Sequence, residues 1–100
     1  MQFLVIAYDH KFESLERRMA VREQHLALIS ELTQSKRCLY AARLESDNGQ
    51  PIGSAMVFDF PDREQLDVML ATEPYTKNDV WERVEVVRCV VADQFKPDAV

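Results

Sequence analysis

From Ser14 to Gln34 the chain runs without a proline or a glycine, between two short segments rich in β-forming residues. Leu15, Met19, Leu26, Ile29 and Leu32 recur there at helical spacing and Ser14 is a candidate N-cap, so the pattern predicts one long helix. Upstream, the apolar run Phe3–Tyr8 reads as a strand ended by Asp9-His10-Lys11. Downstream, Arg37–Leu44 and Ser54–Phe60 read as a hairpin joined by the turn-rich Asp47-Asn48-Gly49-Gln50-Pro51. Pro61 closes that strand. Asp62, with Gln65 three residues on, has the form of a capping box opening a second helix through Leu66, Met69 and Leu70, ending before Pro74. Glu82–Val91, carrying Val84, Val86, Val87, Val90 and Val91, reads as the last strand, with Lys96-Pro97-Asp98 as a tail.

The resulting order, βαββαβ, predicts an α+β fold of ferredoxin-like topology: a four-stranded antiparallel sheet with both helices on one face. With 100 residues there is material for one core, so residues 1–100 are expected to form a single domain. Two helices cover only one face of a sheet. Yet the first strand turns Phe3, Val5 and Ala7 one way and Leu4 and Ile6 the other, and Val90 and Val91 are apolar on opposite faces. Both faces read as buried, which predicts a homodimer packed sheet against sheet.

Composition narrows the function. Apolar residues make up 47% and charged residues 29%, as in soluble globular proteins. The net charge of −5 disfavours the phosphate backbone of nucleic acids, so no nucleic-acid partner is expected. No stretch approaches the roughly 20 apolar residues of a membrane helix, and the N-terminal run is too short for an export signal. No membrane association is expected. Cys38 and Cys89 lie far apart in apolar runs, which suits reduced thiols in the cytoplasm. The chain has neither a metal-ligand cluster nor a glycine-rich phosphate loop, its only glycines being Gly49 and Gly53, so no metal or cofactor is expected.

Polar residues on the first helix carry the functional signal. At about 100° per residue, Arg18, Arg22 and His25 fall inside the apolar sector, while Arg17 points to solvent. Ionisable groups facing a core need partners, so the stripe predicts a polar pocket between helix and sheet. Alternatively, the arginines reach past the core to surface carboxylates and His25 is a satisfied core histidine. His10, in a charged turn, reads as solvated. Ser54, opening a strand, either ends the turn or donates to a ligand. Tyr75 and Trp81 either line the pocket or belong to the core.

The stretch Ser14-Leu15-Glu16-Arg17-Arg18-Met19-Ala20-Val21-Arg22-Glu23-Gln24-His25-Leu26 resembles a motif of the YCII-related family: Leu, Glu, a basic pair, then Val-Arg and a His-Leu. Gly53-Ser54 and Glu73-Pro74-Tyr75 before the last strand resemble that family's Gly-Ser strand and Asp-Pro-aromatic motif. The resemblance implies a dimeric α+β barrel and, by position, a proton-transferring dyad of His25 with Glu73, which stands where the family has aspartate. The family's Gly-Pro after the second strand is replaced by Ala42-Arg43-Leu44. Its fold is similar to that of muconolactone isomerases, which shift or eliminate protons on rings without a cofactor.

A carboxylate beside an imidazole fixes its tautomer and stabilises its protonated form, and the other ring nitrogen then exchanges a proton. Arg18 and Arg22 suit an anionic group on the substrate, such as that of an aromatic acid or lactone, with Ser54 and Tyr75 as further contacts. Taken with these positions, the resemblance implies a cofactor-independent lyase or isomerase. The alternative is a dimeric module that binds a small anion without turning it over.

Overall fold

The computed structural model of the chain describes residues 1–96, and the expected tail falls partly outside them, at Pro97 and Asp98. The elements are β1 (Gln2–Asp9), α1 (Ser14–Ala20), α2 (Arg22–Gln34), β2 (Cys38–Glu45), β3 (Pro51–Asp59), α3 (Arg63–Thr72), α4 (Pro74–Lys77) and β4 (Trp81–Cys89), followed by a 3₁₀ turn at Asp93–Phe95. The four strands form one antiparallel sheet in the order β2-β3-β1-β4. This is the expected ferredoxin-like α+β fold.

Period-two alternation in β1 sends Phe3, Val5 and Ala7 into the core, with Asp9 as the next inward position. Across the ladder, Phe3 faces Phe58 and Val5 faces Met56, and Phe60, Leu66, Met69, Tyr75, Val80 and Trp81 complete this core. Gly53 has no substitute where β3 passes Ala7: a Cβ there would lie 2.3 Å from the Ala7 carbonyl oxygen. At the hairpin tip Gly49 takes φ 85°, a left-handed conformation that favours glycine.

Several expectations need correction. The first helix is interrupted at Val21 (φ −124°, ψ 15°), a β-branched residue outside the helical region that caps α1 and opens α2. Leu15, Met19 and Leu26, expected in the core, are 46%, 60% and 44% exposed, and Ile29 and Leu32 are only partly buried. The residues that α1 and α2 bury instead are Ser14, Arg18 and His25. The turn after α3 forms a further short helix, α4, because Pro74 sits at its first position, where a missing N–H costs nothing. The last strand ends at Cys89, so Val90 and Val91 lie beyond it and Val90 is 85% exposed. Within one chain the second sheet face is open, as two helices on the other face leave it: Leu4 and Ile6 are half-buried, while Val87 and Tyr40 are exposed. The Asp62 cap of α3 is as expected, accepting from the Gln65 amide at 2.8 Å.

Candidate functional site

Glu73 occupies a junction that fixes it from both sides. It ends α3 with extended backbone angles and caps α4, its Oε1 accepting from the Tyr75 amide at 3.1 Å. The same Oε1 lies 2.7 Å from His25 Nδ1, in a contact where the histidine side chain is 11% exposed and the glutamate 1%. A carboxylate only accepts, so Nδ1 carries the hydrogen and Nε2 is left for a ligand. The His25 ring stacks on Tyr75 at 3.9 Å with an interplanar angle of 11°. Trp81 meets Tyr75 edge to face at 5.7 Å from within the core. Burial pushes the Tyr75 phenol above its ordinary value, against the opposing pull of the Arg18 and Arg22 charges.

Beside this dyad lies a second buried pair. Arg18 Nε and Nη2 donate to the two carboxylate oxygens of Asp9 at 3.0 and 2.9 Å, a bidentate geometry. Nη2 also donates to the Gly53 carbonyl at 3.2 Å and to Ser54 Oγ at 3.3 Å. The guanidinium sits 4.6 Å from the Tyr75 ring centroid.

Between α2 and the inner faces of β2 and β3 opens a cavity of about 460 Å³, lined by Arg18, Arg22, His25, Leu26, Ile29, Ala41, Ala42, Arg43, Glu45, Ser54, Met56 and Tyr75. The fold thus brings Arg18, Arg22, His25, Ser54 and Tyr75 to one cavity and joins Glu73 to it through His25. Their burial differs: Arg18 and His25 are buried as expected of inward positions, whereas Arg22 is exposed at the cavity's edge. Arg17, expected in solvent, is half-buried, donating to the Asp79 carbonyl at 3.0 Å. His10 is likewise tied to Asp79, through Nε2 at 3.1 Å.

Sequence reasoning missed Asp9, read only as the end of a strand. Its signal was its place: it continues the inward series Phe3, Val5, Ala7, and a carboxylate there calls for a buried cation. Among the described residues, no group of three or more His, Cys, Asp and Glu side chains is placed to hold a metal ion.

Residues 1–90 match the YCII-related domain, and the chain belongs to that family. Protein YciI of Escherichia coli O6:H1 and Protein YciI of Shigella flexneri are each 32% identical to it over 92 residues, 86% of this chain and 93% of theirs. Among solved structures it is similar to 5-chloro-2-hydroxyhydroquinone dehydrochlorinase of Burkholderia phenoliruptrix in complex with 2,5-dihydroxybenzoquinone. That likeness has a TM-score of 0.81 and 19% identity, covering 94% of this chain and 98% of that one. A protein of Agrobacterium tumefaciens is similar at a TM-score of 0.52 and 16% identity, over 97% and 98% of the two chains. At these identities the structural likeness speaks to the ferredoxin-like fold.

Proposed function

We propose that the chain is a cofactor-independent lyase or isomerase that moves a proton on a small anionic ring substrate, with His25 as the acid/base and Glu73 as its orienting carboxylate. The buried 2.7 Å contact of His25 Nδ1 with Glu73 Oε1 beside the cavity carries this reading. It leaves Nε2 to take a proton from a ring hydroxyl or ring carbon. The electron pair left behind expels a leaving group or re-forms a double bond elsewhere in the ring, and the proton returns to product or solvent. Arg22 lies at the cavity edge without an ion pair among the described residues, where it suits the substrate's negative charge. Ser54 and Tyr75 also line the cavity, as further contacts for the substrate. The quinone bound by the structurally similar dehydrochlorinase makes hydroxylated rings the first class to try.

The working unit is a homodimer in which a second copy covers the open sheet face. Leu4 pairs there with Val57 on one side and Val87 on the other. Light scattering at micromolar concentration is expected to give twice the mass of 11.6 kDa, and a stable monomer would remove the dimer. The setting is a reducing cytoplasm, in keeping with Cys38 and Cys89 as free thiols. Among the described residues, no helix is long and apolar enough to cross a membrane.

Turnover tests the reaction. Incubation with hydroxylated and halogenated hydroquinones, followed by ultraviolet absorbance and halide release, is expected to show conversion that His25→Ala abolishes. Binding without conversion, with affinity unchanged in His25→Ala, would replace the enzyme by a small-anion-binding module.

A further inference from the structure

The deepest charges of the cavity are matched by partners of opposite sign. Arg18 is held edge-on by Asp9, with side-chain exposures of 6% and 2%. His25 has Glu73. An anion at the cavity floor would face cations whose charge is already offset by the buried carboxylates behind them, Asp9 and Glu73, neither of which lines the cavity. At the rim the balance differs. Arg22 is exposed with no ion pair among the described residues, and Arg43 reaches the same cavity from β2, the edge strand of the sheet. Arg43 stands opposite Ser54 in the β2–β3 register, on the sheet face that looks toward α2, so its position over the cavity is set by the ladder.

Arg43 has an internal occupant. Its Nη2 lies 2.5 Å from Glu45 Oε2, and the two side chains are 51% and 42% exposed. Two residues apart on one strand, they share a face, and Glu45 also lines the cavity. A pair this open to solvent is weak and readily exchanged for another carboxylate.

We propose that Arg43, together with Arg22, is the specificity-determining residue of this cavity: it selects ring substrates bearing a carboxylate at the end away from His25, and Glu45 is the carboxylate that such a substrate displaces. The inference rests on the reading of the cavity as the ligand site, and it divides the labour within that site. The floor handles the proton, and the rim reads the charge. A planar guanidinium suits this task because it binds a carboxylate with two parallel hydrogen bonds.

Titration calorimetry with 2,5-dihydroxybenzoate and with hydroquinone tests this, since the two probes share their ring hydroxyls and differ by one carboxylate. The native chain is expected to bind dihydroxybenzoate more tightly. Arg43→Gln is expected to weaken dihydroxybenzoate about tenfold, the scale of one charge-assisted hydrogen bond, and to leave hydroquinone unchanged. Glu45→Gln removes the competitor and is expected to tighten dihydroxybenzoate alone. Both residues lie on an exposed edge strand, and circular dichroism checks that each variant is folded. If Arg43→Gln weakens both probes equally or neither, the assignment of Arg43 is overturned while the cavity stands as a ligand site. If neither probe binds the native chain, the reading of the cavity fails and the inference falls with it.

Discussion

Glu73 holds His25 through one carboxylate oxygen only: Oε1 accepts from both His25 Nδ1 and the Tyr75 amide, while Oε2, equally enclosed, has no hydrogen-bond partner among the described residues. Stacking on Tyr75 sets the plane of the imidazole, and its hydrogen bond at Nδ1 depends on a single oxygen that also caps α4. Glu73→Gln keeps an oxygen acceptor there and removes the charge, whereas Glu73→Ala removes the acceptor itself. Nitrogen-15 spectra of the His25 ring, with His10 as the internal reference, are expected to show an Nδ1–H tautomer in the native chain and in Glu73→Gln, and a shift toward Nε2–H in Glu73→Ala. Because Glu73→Ala also leaves the buried Tyr75 amide without its acceptor, it is expected to cost about 1–3 kcal/mol in denaturant unfolding. An unchanged tautomer in Glu73→Ala would show that the contact does not govern the ring.

Asp9 and Arg18 are predicted to behave as a unit. Removing the carboxylate leaves a buried guanidinium uncompensated, and Asp9→Ala is expected to destabilise the chain by about 3–5 kcal/mol. Replacing both partners with apolar residues, as in Asp9→Leu with Arg18→Met, removes the uncompensated charge and is expected to recover most of that loss. Urea unfolding of the single and double variants measures both. Additive losses would mean that the two side chains do not depend on each other.

The order of elements was legible in the sequence because strands announce themselves by β-rich runs and the helices by their spacing and by the Asp62 cap. That Arg18 and His25 both turn inward was legible for a different reason: they are seven residues apart, close to two helical turns, and the break at Val21 leaves both buried beside one cavity. The break at Val21 was not legible, since the stretch lacks the proline and glycine that usually mark one. Nor was the exposure of Leu15, Met19 and Leu26, because periodicity finds an apolar stripe without saying which element covers it. The Asp9 partnership joins residues on different elements, and only the ladder that turns Asp9 inward brings it to Arg18.

Gly53 should not tolerate a side chain. The added Cβ of Gly53→Ala meets a backbone oxygen, which cannot swing aside as a flexible side chain would. Relief requires β3 to move away from β1, carrying Ser54 and the Gly53 carbonyl that bind Arg18. The expected loss is more than about 2 kcal/mol of unfolding free energy, with altered amide exchange at Ala7 and Ser54. A variant as stable as the native chain would mean that the strands separate at little cost.

Tyr75 and Cys38 give the chain a defined alkaline weakness. Burial raises both above their ordinary values of 10.0 and 9.0, so each group stays protonated in the folded chain at a pH where the unfolded chain has begun to ionise. Below those ordinary values both states hold the proton and neither group contributes pH dependence. Above them the unfolded state binds fewer protons than the folded state, and unfolding free energy falls as pH rises until the folded groups ionise too. Urea unfolding between about pH 8 and 11 should therefore give a declining stability whose slope is reduced at its lower end by Cys38→Ala and at its upper end by Tyr75→Phe. Because each substitution changes baseline stability by an amount independent of pH, the slope is the diagnostic quantity. A slope unchanged in Tyr75→Phe would mean that the phenol under Arg18 and His25 ionises as readily in the folded chain as in the unfolded one.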